Sequence, residues 1–265
     1  MSSSTEKIEI IRLQGDTCET LEDEVTVEKP FTIHVNDEEF ITLLCSGEGV
    51  EYLMVGFLAS EGLIGSMEDI VSVRIEHEDG RGYINVPEGA LTKKKAHGKR
   101  TLTSGCGKGT VFYDVLDSLT AKPLTSFFKI DSDRILELSK RFNDESVVFK
   151  TTGGVHACAL CDEREMLLFH EDIGRHNALD KVIGNALQNN LEIEGKWLLT
   201  SGRISSEILI KAAKQGIAMI VSRSAPTKLA IELAEQMNVT VVGFARGKRM
   251  NIYSGAERVS CPGAE

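Results

Sequence analysis

Apolar and polar residues alternate through Phe31, Ile33 and Val35, the period of a strand with one face buried. The run FITLLC follows closely, so the two are expected to pair as a hairpin. Val50, Leu53, Met54, Phe57 and Leu58 then recur at helical spacing, with Gly62 placed to stop the helix. Period two returns at Val71, Val73 and Ile75, and Asp79-Gly80 marks a second hairpin turn. Strand pair, helix, strand pair describes a small mixed α+β unit. Beyond a helix near Arg134 to Phe142, with Ile135, Leu138 and Phe142 on one face, the rhythm changes. Four short apolar runs, MLLF, WLLT, AMIV and VTVVGF, are separated by helical patterns, the clearest being Leu179, Val182, Ile183, Ala186 and Leu187. Strands alternating with helices predict an α/β layered domain on a largely parallel sheet with right-handed crossovers. Gly216 closes one helix, and Pro226 is placed in the first turn of the next. The division is expected at residues 1–125 and 126–265.

Between the halves, EGALTKKKAHGKRTLTSGCGKGT holds almost nothing apolar. It reads as a linker or a functional loop, with a solvated charged surface as the plain alternative. Cys106 sits there between Gly105 and Gly107, where no core can form around a thiol.

The chain has 265 residues, 42% of them hydrophobic, ample for a real core. A formal net charge of −10 argues against a general nucleic-acid binder, since phosphate-backbone affinity needs excess Lys and Arg. MSSSTEKIEI has no apolar signal region and no stretch approaches a membrane span, so a cytoplasmic protein with no membrane partner is expected. Six cysteines at irregular positions are expected to be thiols. Cys158 and Cys161, in HACALC, are placed on one face of a short helix as core residues. Cys18, Cys45 and Cys261 have no chemical company. A zinc deaminase site would need H-x-E and later P-C-x-x-C; His156 is followed by Ala157 and Cys158, so no metal site is expected.

In open α/β sheets ligands bind beyond the carboxyl ends of the strands. The four loops there read HEDIGRHN, SGRISS, SRSAPT and ARGKR, and each carries an arginine: Arg175, Arg203, Arg223 and Arg246. His176 adjoins the first and Lys248 and Arg249 the last. Arginine forks and backbone N–H groups of Ser and Gly turns suit phosphate oxygens. A nucleotide or a larger pyrophosphate-bridged cofactor fits, although neither GxxxxGK[ST] nor a helix-opening GxGxxG is present. Glu171 and Asp172 among these loops have two open readings, ligand contact or helix capping.

GFLASEGLI, TTGGVHA, EDIGRHNALDKVIG, LLTSGR, SAPTKLAIELA and VGFARGKRMNIY, in that order, resemble the formate dehydrogenase accessory sulfurtransferase family, FdhD. The resemblance implies a cytidine-deaminase-like C-terminal domain without zinc chemistry. It implies sulfur accepted from a cysteine desulfurase as a cysteine persulfide and passed to the molybdenum of bis-molybdopterin guanine dinucleotide, which formate dehydrogenase needs sulfurated. Cys106 matches the family's carrier cysteine, and Phe244, Ala245, Arg246, Gly247, Lys248 and Arg249 match its cofactor-binding segment. Guanine nucleotides are expected to mimic the cofactor, and a homodimer is expected. Gly109 stands where many relatives have a second cysteine. Either one thiol suffices, its thiolate held by Lys99, Arg100 and Lys108, or sulfur transfer is poor or absent. Two other readings stand: a non-catalytic molybdenum cofactor chaperone, and a guanine-nucleotide-binding regulatory protein.

Overall fold

The computed structural model describes residues 4–87, 123–125 and 128–261. The expected hairpins form: β3 (Lys29–Val35) with β4 (Glu38–Cys45), and β5 (Ser72–Glu76) with β6 (Arg81–Asn85). A parallel β3–β6 pairing joins them into a sheet of order β4-β3-β6-β5. Alternation on β3 buries Phe31, Ile33 and Val35 against α1 (Val50–Ser60). A hairpin of β1 (Thr5–Gln14) and β2 (Thr17–Thr26) precedes them. No apolar period announced it, because β2 reads TCETLEDEVT and its first four residues are exposed.

After the two-residue β7 (Ile130–Asp131), the second half is built on a sheet of six strands, and from one edge to the other their order is β13-β12-β11-β10-β8-β9. They are β8 (His156–Cys161), β9 (Met166–Asp172), β10 (Trp197–Thr200), β11 (Met219–Ser222), β12 (Thr240–Arg246) and β13 (Arg249–Ser254). All four apolar runs are strands, but the largely parallel sheet needs correcting. Only β10–β11 and β11–β12 pair in parallel; β8 with β9, β8 with β10, and β12 with β13 are antiparallel. Two strands are the cause: HACALC, expected as a helix and found as β8, and β13, which returns along β12 as a hairpin. Ala157 to Cys161 are all buried, so the segment shows no two-fold alternation to read. On a strand, residues three apart point to opposite faces. Cys158 accordingly packs with the helices on one side and Cys161 with Trp197 and Phe142 on the other.

One face of this sheet is covered by α2 (Ser132–Glu145), whose Ile135, Leu138 and Phe142 are buried as the spacing predicted. The other carries α4 (Arg175–Gln188), α5 (Ser206–Lys214) and α6 (Lys228–Met237), with the short α3 (Val147–Thr152) at one end. Pro226 lies outside α6, in a bridge with Ile204. The helix begins after Thr227, whose hydroxyl accepts from Ala230 N at 3.3 Å. A side-chain cap satisfies a free N–H that proline at the first position would merely have removed.

A single apolar core runs from β3 through α1 to α4 and the main sheet. Helix α1 is buried on nearly every side, which is why its pattern is apolar almost throughout. It crosses α4 at Gly56 and Gly184. A Cβ on Gly56 would stand 1.7 Å from Asp180 O, and one on Gly184 would stand 1.9 Å from Tyr52 O. Gly184→Ala should therefore force the helices apart, at about 3 kcal/mol, or roughly 6–12 °C in thermal midpoint. Thermal unfolding followed by circular dichroism measures it, and an unchanged midpoint would refute the close crossing.

Candidate functional site

Because β8 runs against both β9 and β10, strands β9, β10, β11 and β12 all point the same way. Their four arginine-bearing loops therefore share one edge. Serines and threonines at the strand ends lace these loops together. Ser222 Oγ donates to Gly202 O at 2.6 Å and accepts from Ser224 N at 2.9 Å. Arg223 N donates to Thr200 O at 3.2 Å, and Phe244 N to Ser224 O at 3.0 Å. The loops after β10, β11 and β12 are thus tied each to the next.

The rim encloses a cleft of about 210 Å³ walled by Phe142 and Phe149 and lined by His156, Ser201, Arg223 and Arg246. A second cleft of about 150 Å³, towards Lys140, Asn143 and Gly247, shares Arg223 and Arg246 with it. Arg223 Nη1 meets the Asn143 side-chain oxygen. From the other side Arg175, His176 and Arg203 act on His156. Burial first, then these cations, push its imidazole below the ordinary histidine range. Gly202 makes room: a Cβ there would stand 3.1 Å from Arg175 Cβ and 3.4 Å from His156 Nδ1. Arg175 Nε is buried and meets no acceptor among the described residues. His176 Nε2 lies 3.2 Å from a Glu207 oxygen and holds that carboxyl below its usual range. The rim is thus strongly cationic, with few carboxylates to neutralise it, and suits an extended polyanion.

The segment expected to bind cofactor divides. Arg246, Gly247, Lys248 and Arg249 are exposed at the β12–β13 hairpin, where Gly247 takes φ +63° and Arg246 pairs across from Arg249. Phe244 is half-buried at φ +54°, its ring 5.8 Å from the Arg246 guanidinium carbon. Ala245 is buried in the core beside the second cleft. Cys106, with Lys99, Arg100, Lys108 and Gly109, lies outside the described residues. Cys158 and Cys161 are buried thiols; burial pushes Cys158 up to about 12 and raises Cys161 as well, so neither offers a thiolate. His156 was missed as a site residue. Reading GGVHACALC as a strand would have placed it on this same edge.

Glu171 and Asp172 turn out to be structural. The Glu171 carboxylate accepts from Val148 N at 3.2 Å and Phe149 N at 3.1 Å, capping α3. Asp172 is fully buried, 2.6 Å from Lys181 Nζ, and accepts from Ser46 N, Gly174 N and Asn177 Nδ2. Asp180 likewise holds Lys211 at 2.7 Å and the Ser60 hydroxyl at 2.6 Å. Much of EDIGRHNALDKVIG is therefore a buried clamp between the two halves.

Fold and rim together define a mixed α/β protein with a cationic cleft at the carboxyl edge of its main sheet. The FdhD/NarQ family model matches residues 26–260, and the chain belongs to that family. It is 46% identical over 251 residues to the sulfur carrier protein FdhD of Listeria innocua, covering 94% of this chain and 96% of that one. It is 42% identical over 251 residues to the sulfur carrier protein FdhD of Bacillus subtilis, covering 95% and 96%. A crystal structure described as a formate dehydrogenase accessory protein, from Desulfotalea psychrophila, superposes with a TM-score of 0.79 at 24% identity, over 97% of this chain and 99% of that one. That likeness shows the shared fold. No helix among the described residues is long and apolar enough to cross a membrane.

Removing one partner of a buried pair leaves the other charge uncompensated. Asp172→Asn should cost roughly 3–5 kcal/mol, and adding Lys181→Met should recover part of it. Denaturant unfolding of the single and double variants compares the two, and a double variant worse than the single would contradict the clamp.

Proposed function

We propose that this protein is a sulfur carrier in formate dehydrogenase maturation and that its cargo is bis-molybdopterin guanine dinucleotide, taken as substrate. The carrier role is supported by near full-length relatives that bear that name. The cargo is supported by one geometric observation: Arg223 and Arg246 line both clefts, while Arg175 and Arg203 bear on His156 at the same edge. A dinucleotide cofactor carries two pyrophosphates, and forked guanidinium groups match their oxygens.

In this reading the Cys106 thiolate attacks the outer sulfur of a persulfide on a cysteine desulfurase. The desulfurase sulfur–sulfur bond breaks as the new one forms at Cys106, and the desulfurase cysteine leaves as thiolate. The terminal sulfur then passes to the substrate's molybdenum as the Cys106 sulfur–sulfur bond breaks and Cys106 leaves as thiolate, the two electrons that bring the sulfur to the sulfide level coming from a reduced metal centre, which is oxidised by two electrons. Gly109 removes a neighbouring thiol that could close over the persulfide, so one carrier sulfur does the transfer. Formate dehydrogenase is the client, and self-association as a homodimer in the cytoplasm belongs to the same reading.

Incubation with a cysteine desulfurase and cysteine should add one sulfur to Cys106, read by peptide mass spectrometry; absence of that adduct would end the carrier role. Maturation of formate dehydrogenase that survives Cys106→Ser would favour a chaperone instead. Guanosine diphosphate at a hundredfold over its dissociation constant should stabilise the protein by about 2.7 kcal/mol, and Arg246→Ala with Arg249→Ala should abolish the resulting thermal shift.

A further inference from the structure

His156 opens β8 where the arginine-bearing loops meet, and it lines the cleft assigned above to the cargo. Its Nδ1 lies 3.4 Å from Ser201 Oγ, and that same hydroxyl accepts from Ala157 N at 3.0 Å. A serine hydroxyl has one proton. Ala157 N–H takes one lone pair of Oγ, so the hydroxyl proton can point at Nδ1 when the imidazole carries its one proton on Nε2. The surroundings oppose a positive charge on the imidazole. Arg175 and His176 face it from α4, Arg203 from the loop after β10, and Arg223 and Arg246 from the ends of β11 and β12. Its cross-strand neighbour Asp172 is engaged by Lys181, and Glu207 by His176, so neither carboxylate is free to offset these cations.

We propose that the cleft is a proton-linked anion site, in which an entering phosphate draws a proton onto His156 and thereby turns Ser201 from a donor to the imidazole into a donor to the anion. The anion cancels the field of the surrounding arginines, so the charged imidazole is no longer opposed. Once protonated, Nδ1–H donates to Ser201 Oγ, and the hydroxyl proton is released towards the cleft. One proton from solvent thus provides one additional charge and one additional hydrogen bond. This rests on the assignment of a phosphate-bearing cargo to this cleft.

The histidine is more basic in the bound state than in the free one. Binding therefore takes up a proton, and affinity rises as pH falls until the free imidazole itself is charged. The probe is P1,P2-di(guanosine-5′) pyrophosphate, which lacks a terminal phosphate and so has no phosphate titrating in this window. Titration calorimetry in two buffers of different ionisation enthalpy counts the protons. Wild-type protein should take up a proton and bind more tightly as pH is lowered from about 8 to about 6, by at most about tenfold per unit, the limit for one proton. His156→Gln should bind without uptake and with affinity independent of pH. Ser201→Ala should bind more weakly yet still take up the proton, which a merely structural serine would not do. Should His156→Gln not fold, the His156 ring-proton resonance in the wild-type protein, titrated with and without the probe, reads the same event. Wild-type binding without proton uptake, or uptake that persists in His156→Gln, overturns the switch while leaving the cleft assignment intact. Failure of the wild-type protein to bind the probe overturns both.

Discussion

The crossing of α1 and α4 at Gly56 and Gly184 is the constraint on which the rest of the molecule depends. Backbone meets backbone there, so the two halves share a core instead of touching through side chains. That closeness brings polar groups inside, and each is answered. Asp180 holds Lys211 and Ser60; Asp172 holds Lys181 and the Ser46 backbone; and Lys211 lies over the Phe57 ring. Buried charges of this kind contribute little net stability, but breaking one partner is costly, so they enforce a single docking arrangement. His170 belongs to the same seam. It accepts from Asn185 through Nε2, lies beside Tyr52, and is pushed down to about 4 by burial and Lys181, so it packs as a neutral ring.

The carboxyl edge of the main sheet follows the opposite logic. In the seam every charge is answered; on the rim Arg175, Arg203, Arg223 and Arg246 gather around His156 and two clefts with few carboxylates close by. Concentrating like charges costs folding energy, and an arriving anion returns it. The rim can hold that arrangement because the loops after β10, β11 and β12 are tied to one another by Ser222, Ser224 and Thr200, and because β10 and β11 below them are fully buried. A polyanion would meet a preformed surface and order little on arrival.

Apolar spacing was legible in several elements, in the nearly fully buried α1 as well as in those with one wet face. The β3–β4 and β5–β6 hairpins, α1, α2 and α4 each followed from two-fold or helical spacing. HACALC was not legible, because a strand buried on both faces shows no period and two cysteines three apart mimic a helix face. The β1–β2 hairpin was not legible either, since its acidic second strand has no apolar alternation. The arginines of the site could be read from position alone, one after each strand. His156 could not, because its place on that edge depends on β8 being a strand antiparallel to its neighbours.

From sequence alone came most of the element types, the arginine after each of four strands and, through the motifs, the family. The tertiary structure alone decided which residues of those motifs serve folding and which face the cleft. Glu171, Asp172, Asp180, Lys181 and Gly184 lie in the most recognisable stretch of the chain, yet they cap, clamp and cross helices. The reason is geometric: a carboxylate in sequence is the same group whether it meets solvent, a ligand or a lysine 2.6 Å away, and only the packing of distant segments selects among these.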